Sequence, residues 1–128
     1  MASILIVDDE PGVRTLYSTV LTCEGHQVSI ADNCTEAGRI LKSEEIDLVV
    51  LDIQIKQESG LDMLQSIINS HPGLPIILCS AHSYYKSDYS SWLADAYIVK
   101  NSDLSEFKTD IKETAKPQQA DTLIVHIF

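Results

Sequence analysis

The chain has 128 residues, of which 45% are hydrophobic and 22% are charged, and its formal net charge at pH 7 is −10. A chain of this length can bury a hydrophobic core as one domain without needing a disulfide or a metal for folding. The negative charge argues against direct binding of nucleic acids or anionic membranes, whose phosphates would be repelled, and is compatible with binding of cations or of a basic partner.

Three cysteines, Cys23, Cys34 and Cys79, show neither paired nor metal-like spacing. An odd number of cysteines without a secretion signal favours reduced thiols in the cytoplasm. The apolar run at residues 4–7 is too short for the core of a signal peptide or for a transmembrane helix. We therefore expect a cytoplasmic protein that does not associate with membranes.

Short runs rich in apolar and β-branched residues predict five β-strands, and the run at residues 48–51 is typical of a strand buried on both faces. They cover residues 3–7, 27–31, 46–51, 75–80 and 96–99. Between and after them lie stretches with apolar residues at helical spacing, several of which begin with a capping signal. The expected first residues or N-caps of these helices are Pro11, Asn33, Ser59, Tyr85 and Asp103. The fourth helix is the weakest prediction, because the serines and the aspartate within residues 87–91 are poor helix formers.

The alternation of strands and helices, (βα)5, predicts an α/β fold in which helices cover both faces of a parallel sheet. Right-handed crossover connections favour a doubly wound arrangement. Polar or charged residues follow or end four of the five strands, and ligands of such sheets bind beyond the carboxyl ends of the strands. These residues are Asp8, Asp9, Asp52, Ser80 and Lys100.

Carboxylates gathered at one edge of a sheet would repel one another, at a cost of roughly 1–4 kcal/mol for each pair about 4 Å apart. Mg²⁺ would offset this repulsion, because it prefers oxygen ligands and keeps water or phosphate oxygens among them. Lys100 would supply a positive charge for a phosphoryl group, and Ser80 would supply a hydroxyl donor. We therefore interpret Asp52 as a nucleophile that forms an aspartyl phosphate.

The segments ILIVDDE, LVVLDIQIKQESG, IILCSA and AYIVK, in this order and spacing, resemble the receiver domain of bacterial two-component response regulators, including the chemotaxis receivers. The resemblance extends over residues 3–115. It implies a flavodoxin-like, doubly wound, five-stranded parallel sheet with the strand order 2-1-3-4-5. We assign residues 1–116 to the receiver domain and residues 117–128 to a C-terminal extension of unknown role.

The resemblance implies a phosphoacceptor and a set of metal ligands. Asp52 would accept a phosphoryl group from a histidine kinase. Asp9 would bind Mg²⁺ directly and Asp8 would assist, often through water. Asp52 and the main-chain carbonyl of Gln54 would complete the protein ligands.

The resemblance also implies roles for residues of the later strands and loops. Ser80 and Tyr97 match the two switch residues, and Lys100 matches the lysine that contacts the phosphoryl group. The positions that control access to this group or tune its hydrolysis in similar proteins are occupied by Gln54, Ala81 and His82. A half-buried aromatic is an equally good interpretation of Tyr97, and an exposed loop position is the simpler one for His82.

Three positions depart from the family pattern. Lys56 and Asn101 stand where proline is usual, and Leu93 stands where glycine is common. These departures affect loops around the site and leave its charged residues intact. They therefore bear on signal output more than on the chemistry.

The function that the resemblance implies is a phosphorylation-dependent signalling switch, read out on the face formed by the fourth helix, the fifth strand and the fifth helix. We do not expect an enzyme, because the only turnover would be Mg²⁺-dependent self-phosphorylation and slow autodephosphorylation. The implied partners are a sensor histidine kinase or phosphotransfer protein and a downstream target or separate output domain. A homodimer through the same face is a further possibility.

Alternative functions remain open from the sequence. A receiver-fold module that binds partners without phosphate is allowed by the three departures and disfavoured by the intact acidic set. A flavin-binding flavodoxin-like protein would need a Ser/Thr/Gly-rich loop after the first strand, where DDEPG stands. A haloacid-dehalogenase-type phosphatase would need an aspartate where Gln54 stands.

Overall fold

The runs of apolar and β-branched residues form strands that alternate with amphipathic helices along the chain. The computed structural model describes residues 2–55, 58–80, 96–99 and 104–114. The strands are β1 (Ser3–Val7), β2 (Gln27–Ala31), β3 (Leu48–Asp52), β4 (Gln54–Ile55), β5 (Glu58–Ser59), β6 (Ile76–Ser80) and β7 (Ala96–Val99). The helices are α1 (Pro11–Cys23), α2 (Cys34–Ser43), α3 (Gly60–Ser70) and α4 (Leu104–Thr114).

Five of these strands form one parallel sheet, in the order β2-β1-β3-β6-β7. This confirms the expected strand order, with β1 and β3 as neighbours. In register, Val7 lies beside Ala31 on one side and Leu51 on the other, and Asp52 lies beside Cys79. The carboxyl ends of the central strands therefore meet at one edge of the sheet.

Two hydrophobic layers hold the sheet, one on each face. The first includes Leu5, Val7, Ile40, Val49, Leu51, Leu64 and Ile67. The second includes Ile4, Ile6, Tyr17, Leu21, Val50, Phe107 and Ile111. Successive residues of β1 and β3 belong to different layers, because side chains alternate across a strand. The helices therefore cover both faces, as the (βα)5 pattern predicts: α2 and α3 on one, α1 and α4 on the other.

Several boundaries differ from the predicted ones by one or two residues. The third strand begins at Leu48 rather than at residue 46 and includes Asp52. The polar segment after Asp52 contains a short antiparallel pair, β4 and β5, that the sequence did not predict. The helix predicted near Tyr85, the departures at Lys56, Leu93 and Asn101, and the extension at 117–128 lie outside the described residues. The boundary at residue 116 stays a prediction.

Of the two hydrogen bonds of the capping box predicted at the start of α2, the structure shows the one that Asn33 accepts. Asn33 Oδ1 accepts a hydrogen bond from the main-chain N–H of Glu36 at 2.8 Å. The Glu36 carboxylate binds Arg39 instead, at 2.6 Å, and this hydrogen bond lowers the pKa of Glu36. The N-cap of α2 therefore depends on Asn33.

His26 is half-buried where the chain enters β2. Its Nδ1 accepts a hydrogen bond from the main-chain N–H of Ala2 at 3.1 Å. Burial lowers the pKa of the imidazole below its ordinary value of 6.5. The folded protein therefore favours the neutral imidazole.

None of the four described helices combines the length and the apolar character that crossing a bilayer requires.

We expect Asn33→Ala to lower the free energy of unfolding by about 1 kcal/mol, the usual cost of removing a helix N-cap. Asn69→Ala is the matched control, because Asn69 is exposed within α3 and its side chain accepts a hydrogen bond from the exposed side chain of Gln65, at 3.2 Å, instead of capping a helix. Urea unfolding followed by circular dichroism measures both variants. Equal losses in the two would contradict the capping role of Asn33.

We expect His26 to make stability depend on pH. Because its pKa is lowered in the folded state, the unfolded chain binds the proton more readily. The stabilising contribution is therefore present above pH 6.5 and is lost as the pH falls through the folded-state pKa. His26→Asn keeps a side-chain acceptor but does not titrate, so its stability should fall less steeply on acidification. Identical pH profiles of urea unfolding for the two proteins would contradict this assignment.

Candidate functional site

The turn after β1 carries the first acidic residues of the site. Asp8 directly follows β1 and is 2% exposed. Its main-chain N–H donates to the carbonyl of Ala31 at 3.1 Å, which continues the pairing of β1 with β2. Its Oδ1 accepts a hydrogen bond from the main-chain N–H of Glu10 at 2.9 Å. The backbone therefore fixes both the position and the orientation of this carboxylate.

The neighbouring strand β3 supplies Asp52. This aspartate is the last residue of β3 and is 5% exposed. The strand is held between β1 and β6, and the pairing with β6 continues one residue further through a 3.0 Å hydrogen bond from Ile53 N–H to the Cys79 carbonyl. Asp52 is therefore presented from a rigid strand, next to the turn that follows β1.

Four carboxylates converge at this edge of the sheet. Asp8, Asp9, Glu10 and Asp52 each offer one oxygen, and these oxygens all lie within 4.8 Å of one another. Asp8 and Asp52 are buried, Asp9 is half-buried and Glu10 is exposed, so the cluster opens to solvent on one side. The predicted convergence of Asp8, Asp9 and Asp52 is confirmed.

Glu10 was not predicted to belong to this cluster. It follows the aspartate pair directly and stands at the N-cap of α1, just before Pro11. Its side chain does not cap α1. Its proximity to Asp52 depends on the path of the turn, and the acidic run DDE was the available signal.

The cluster has the donor set of a hard cation. Like charges at these separations repel, and burial of two of them weakens the screening by water. Carboxylate oxygens are ligands that Mg²⁺ and Ca²⁺ prefer, whereas softer metals favour sulfur and imidazole. The residues present therefore fit a divalent, oxygen-binding cation.

The remaining predicted site residues are described in part or not at all. Ser80 ends β6, and its backbone lies next to Val99 of β7. The backbone of Tyr97 lies in β7 beside Leu78, and that of Gln54 lies in β4, two residues after Asp52. The side chains of these three residues are not described. The residues outside the described ranges are Ala81, His82 and Lys100.

Residues 4–112 match the sequence model of the response regulator receiver domain. The transcriptional regulatory protein GlrR of Escherichia coli K12 is 37% identical over 81 residues. This match covers 63% of the present chain and 18% of GlrR, so the chain spans less than a fifth of this relative.

Solved structures agree with the sequence match. The response regulator TrrA of Thermotoga maritima, in complex with Mg²⁺-BeF, superposes with a TM-score of 0.84 and is 41% identical, covering 89% of this chain and 99% of TrrA. TrrA in complex with the histidine kinase ThkA gives a TM-score of 0.84 at 40% identity, covering 91% of this chain and 100% of that one. The likeness therefore extends over nearly the whole of the TrrA chain in both structures.

We expect Asp9→Asn to stabilise the cation-free protein, because it removes one of four neighbouring negative charges. The gain should be about 1 kcal/mol, the size of the repulsion between two charges about 4 Å apart in a water-like environment. Thermal unfolding in a chelator measures this stabilisation. In excess Mg²⁺, we expect the melting temperature of Asp9→Asn to rise less than that of the wild-type chain, because the variant has lost one carboxylate of the cluster.

Glu45→Gln is the control for this variant, because it removes the same charge from an exposed position outside the cluster. If Mg²⁺ raises the melting temperatures of both variants equally, repulsion within the cluster does not explain the change in stability of Asp9→Asn.

Proposed function

The chain belongs to the response regulator receiver domain family, and we propose that it is a phosphorylation-dependent switch of a two-component system with Asp52 as the phosphoacceptor. The observation that carries this proposal is the position of Asp52. It ends a buried central strand, and three further carboxylates lie within 4.8 Å of it. These carboxylates can hold a cation, and a bound cation would offset the negative charge of Asp52 and of an incoming phosphoryl group.

The proposed reaction is a phosphoryl transfer to Asp52. A carboxylate oxygen of Asp52 attacks phosphorus, and an O–P bond forms as the P–N bond of a phosphohistidine donor breaks. The electron pair of the broken bond goes to the imidazole nitrogen of the donor. The chain contributes mainly positioning, because β3 holds the nucleophile and leaves it little freedom.

We propose Mg²⁺ as the cofactor. Asp9 and Asp52 bind it directly, Asp8 assists through water, and the main-chain carbonyl of Gln54 completes the protein ligands. Bound Mg²⁺ would offset the charge of these carboxylates and of the incoming phosphoryl group. The all-oxygen donor set of the cluster supports this assignment, and so does the complex of the similar protein TrrA with Mg²⁺-BeF.

The later strands carry the proposed response to phosphate. Lys100 binds the phosphoryl group, the Ser80 hydroxyl turns toward it, and Tyr97 moves inward behind Ser80. The pairing of β6 with β7 supports such a link, because Ser80 and Tyr97 lie on neighbouring strands. The residues that tune access and hydrolysis are Gln54, Ala81 and His82.

The proposed partners are a sensor histidine kinase or phosphotransfer protein and a downstream target or separate output domain. The complex of TrrA with ThkA supports the first, and the longer relative GlrR supports the second. The switch would act in the cytoplasm, without direct contact with nucleic acid or membrane. A homodimer could form through the last helix, the last strand and the helix predicted near Tyr85. The chain is not an enzyme in this proposal, since it modifies only itself.

The test is intact mass after incubation with Mg²⁺ and acetyl phosphate. We expect one added phosphoryl group on the wild-type chain and none on Asp52→Asn or in a magnesium-free sample. Asp62→Asn is the matched control, because this aspartate is exposed at the start of α3, and it should be phosphorylated normally.

Fast hydrolysis could hide the adduct, so a beryllofluoride complex would be measured alongside. If neither an adduct nor this complex forms and Mg²⁺ does not bind, the proposal fails. The chain would then be a receiver-fold module that binds its partners without phosphate.

A further inference from the structure

The turn between β1 and α1 is held by hydrogen bonds that converge on Asp8. Its N–H binds the carbonyl of Ala31 in β2, and its carboxylate accepts from the N–H of Glu10. The third contact comes from a side chain: the guanidinium of Arg14 donates to the carbonyl of Asp8 at 2.8 Å. The N–H, the carbonyl and the carboxylate of Asp8 are thus held by β2, by α1 and by the turn itself, respectively.

Arg14 is well placed to hold this turn. Its own N–H donates to the carbonyl of Glu10 at 3.1 Å, which is a first-turn bond of α1. Its side chain is half-buried and reaches back from the helix over the acidic turn. A guanidinium is planar and always charged, so its hydrogen bond to a carbonyl is stronger and more directional than one from a neutral donor.

The hydrogen bond from Arg14 stabilises a turn whose carboxylates repel one another. Asp8, Asp9 and Glu10 follow one another in the chain, and their carboxylate oxygens lie within 4.8 Å of each other and of Asp52. In the absence of a cation, repulsion favours a turn in which these groups move apart. A cation would then have to gather them again, and its affinity would fall by the cost of doing so.

We propose that Arg14 is a positioning residue that holds the turn in its cation-binding shape before the cation arrives. This inference rests on the proposed function in so far as Mg²⁺ serves phosphoryl transfer, but it concerns Mg²⁺ binding, which can be measured without a phosphodonor. Arg14 acts through Asp8 and does not itself bind the cation.

The sign of one measurement separates this role from a simple effect of charge. If Arg14 acted only as a positive charge near the site, its neutralisation would tighten Mg²⁺ binding. If it holds the turn, neutralisation weakens binding. At an ionic strength of about 0.15 M the screening length is about 8 Å, so salt reduces the charge effect more than the effect of a direct hydrogen bond.

The experiment is a Mg²⁺ titration of the full chain at this ionic strength, followed by nuclear magnetic resonance. We expect Arg14→Gln to raise the dissociation constant about 3- to 10-fold, which corresponds to about 0.7–1.4 kcal/mol. Arg14→Lys keeps the positive charge but lacks the planar guanidinium, so it should raise the dissociation constant less. Arg39→Gln is the matched control, because it removes the same charge from an exposed position on α2 and should leave the constant within about 2-fold of the wild-type value.

A second readout separates positioning from a general loss of structure. In phosphorylation by acetyl phosphate, Arg14→Gln should raise the Mg²⁺ concentration that gives the half-maximal rate and leave the maximal rate unchanged. A merely structural role would lower the maximal rate and leave the Mg²⁺ requirement as it is.

Unchanged or tighter Mg²⁺ binding in Arg14→Gln overturns the proposal. If this variant does not fold, Arg14→Lys decides, and an unchanged dissociation constant in that variant overturns it equally. Weaker Mg²⁺ binding in the variants with no phosphoryl adduct on any chain would support the role of Arg14 and reject the phosphoryl transfer. The two proposals can therefore fail separately.

Discussion

Repulsion among carboxylates at the carboxyl edge of the sheet is the constraint on which the rest of the site depends. Asp8 and Asp52 are 2% and 5% exposed, so water can screen their charges only weakly. A fold that tolerates this arrangement must hold the groups mechanically. A cation bound among these carboxylates would stabilise the fold by offsetting their repulsion.

The scaffold supplies the mechanical support. Hydrophobic layers on both faces hold β1 and β3 side by side, and the hydrogen bonds of Asp8 extend this order into the following turn. The helix that begins at this turn also contacts the last helix, since the rings of Tyr17 and Phe107 stack with centroids 4.1 Å apart. The turn that carries Asp8 and Asp9 is therefore linked, through α1 and this ring contact, to α4.

Local patterns predicted most of the elements correctly. The observed bounds of β1, β2 and β7 match the predicted runs, because apolar and β-branched residues are a short-range signature of strands. The N-cap at Asn33 was predicted for the same reason, since capping depends on residues three apart. The β4–β5 pair was missed, because two-residue strands have no periodicity to detect.

The sequence by itself determined which residues end or follow the strands, and thus that Asp8, Asp9 and Asp52 all lie at the carboxyl ends of strands. Periodicity alone could not order the strands, and the order 2-1-3-4-5 came from the resemblance to receiver domains. Only the tertiary structure decided that Glu10 joins the cluster and that Arg14 binds the carbonyl of Asp8. Both contacts depend on how a turn folds back between a strand and a helix, and hydrogen-bond geometry across that turn leaves no repeating pattern in the sequence.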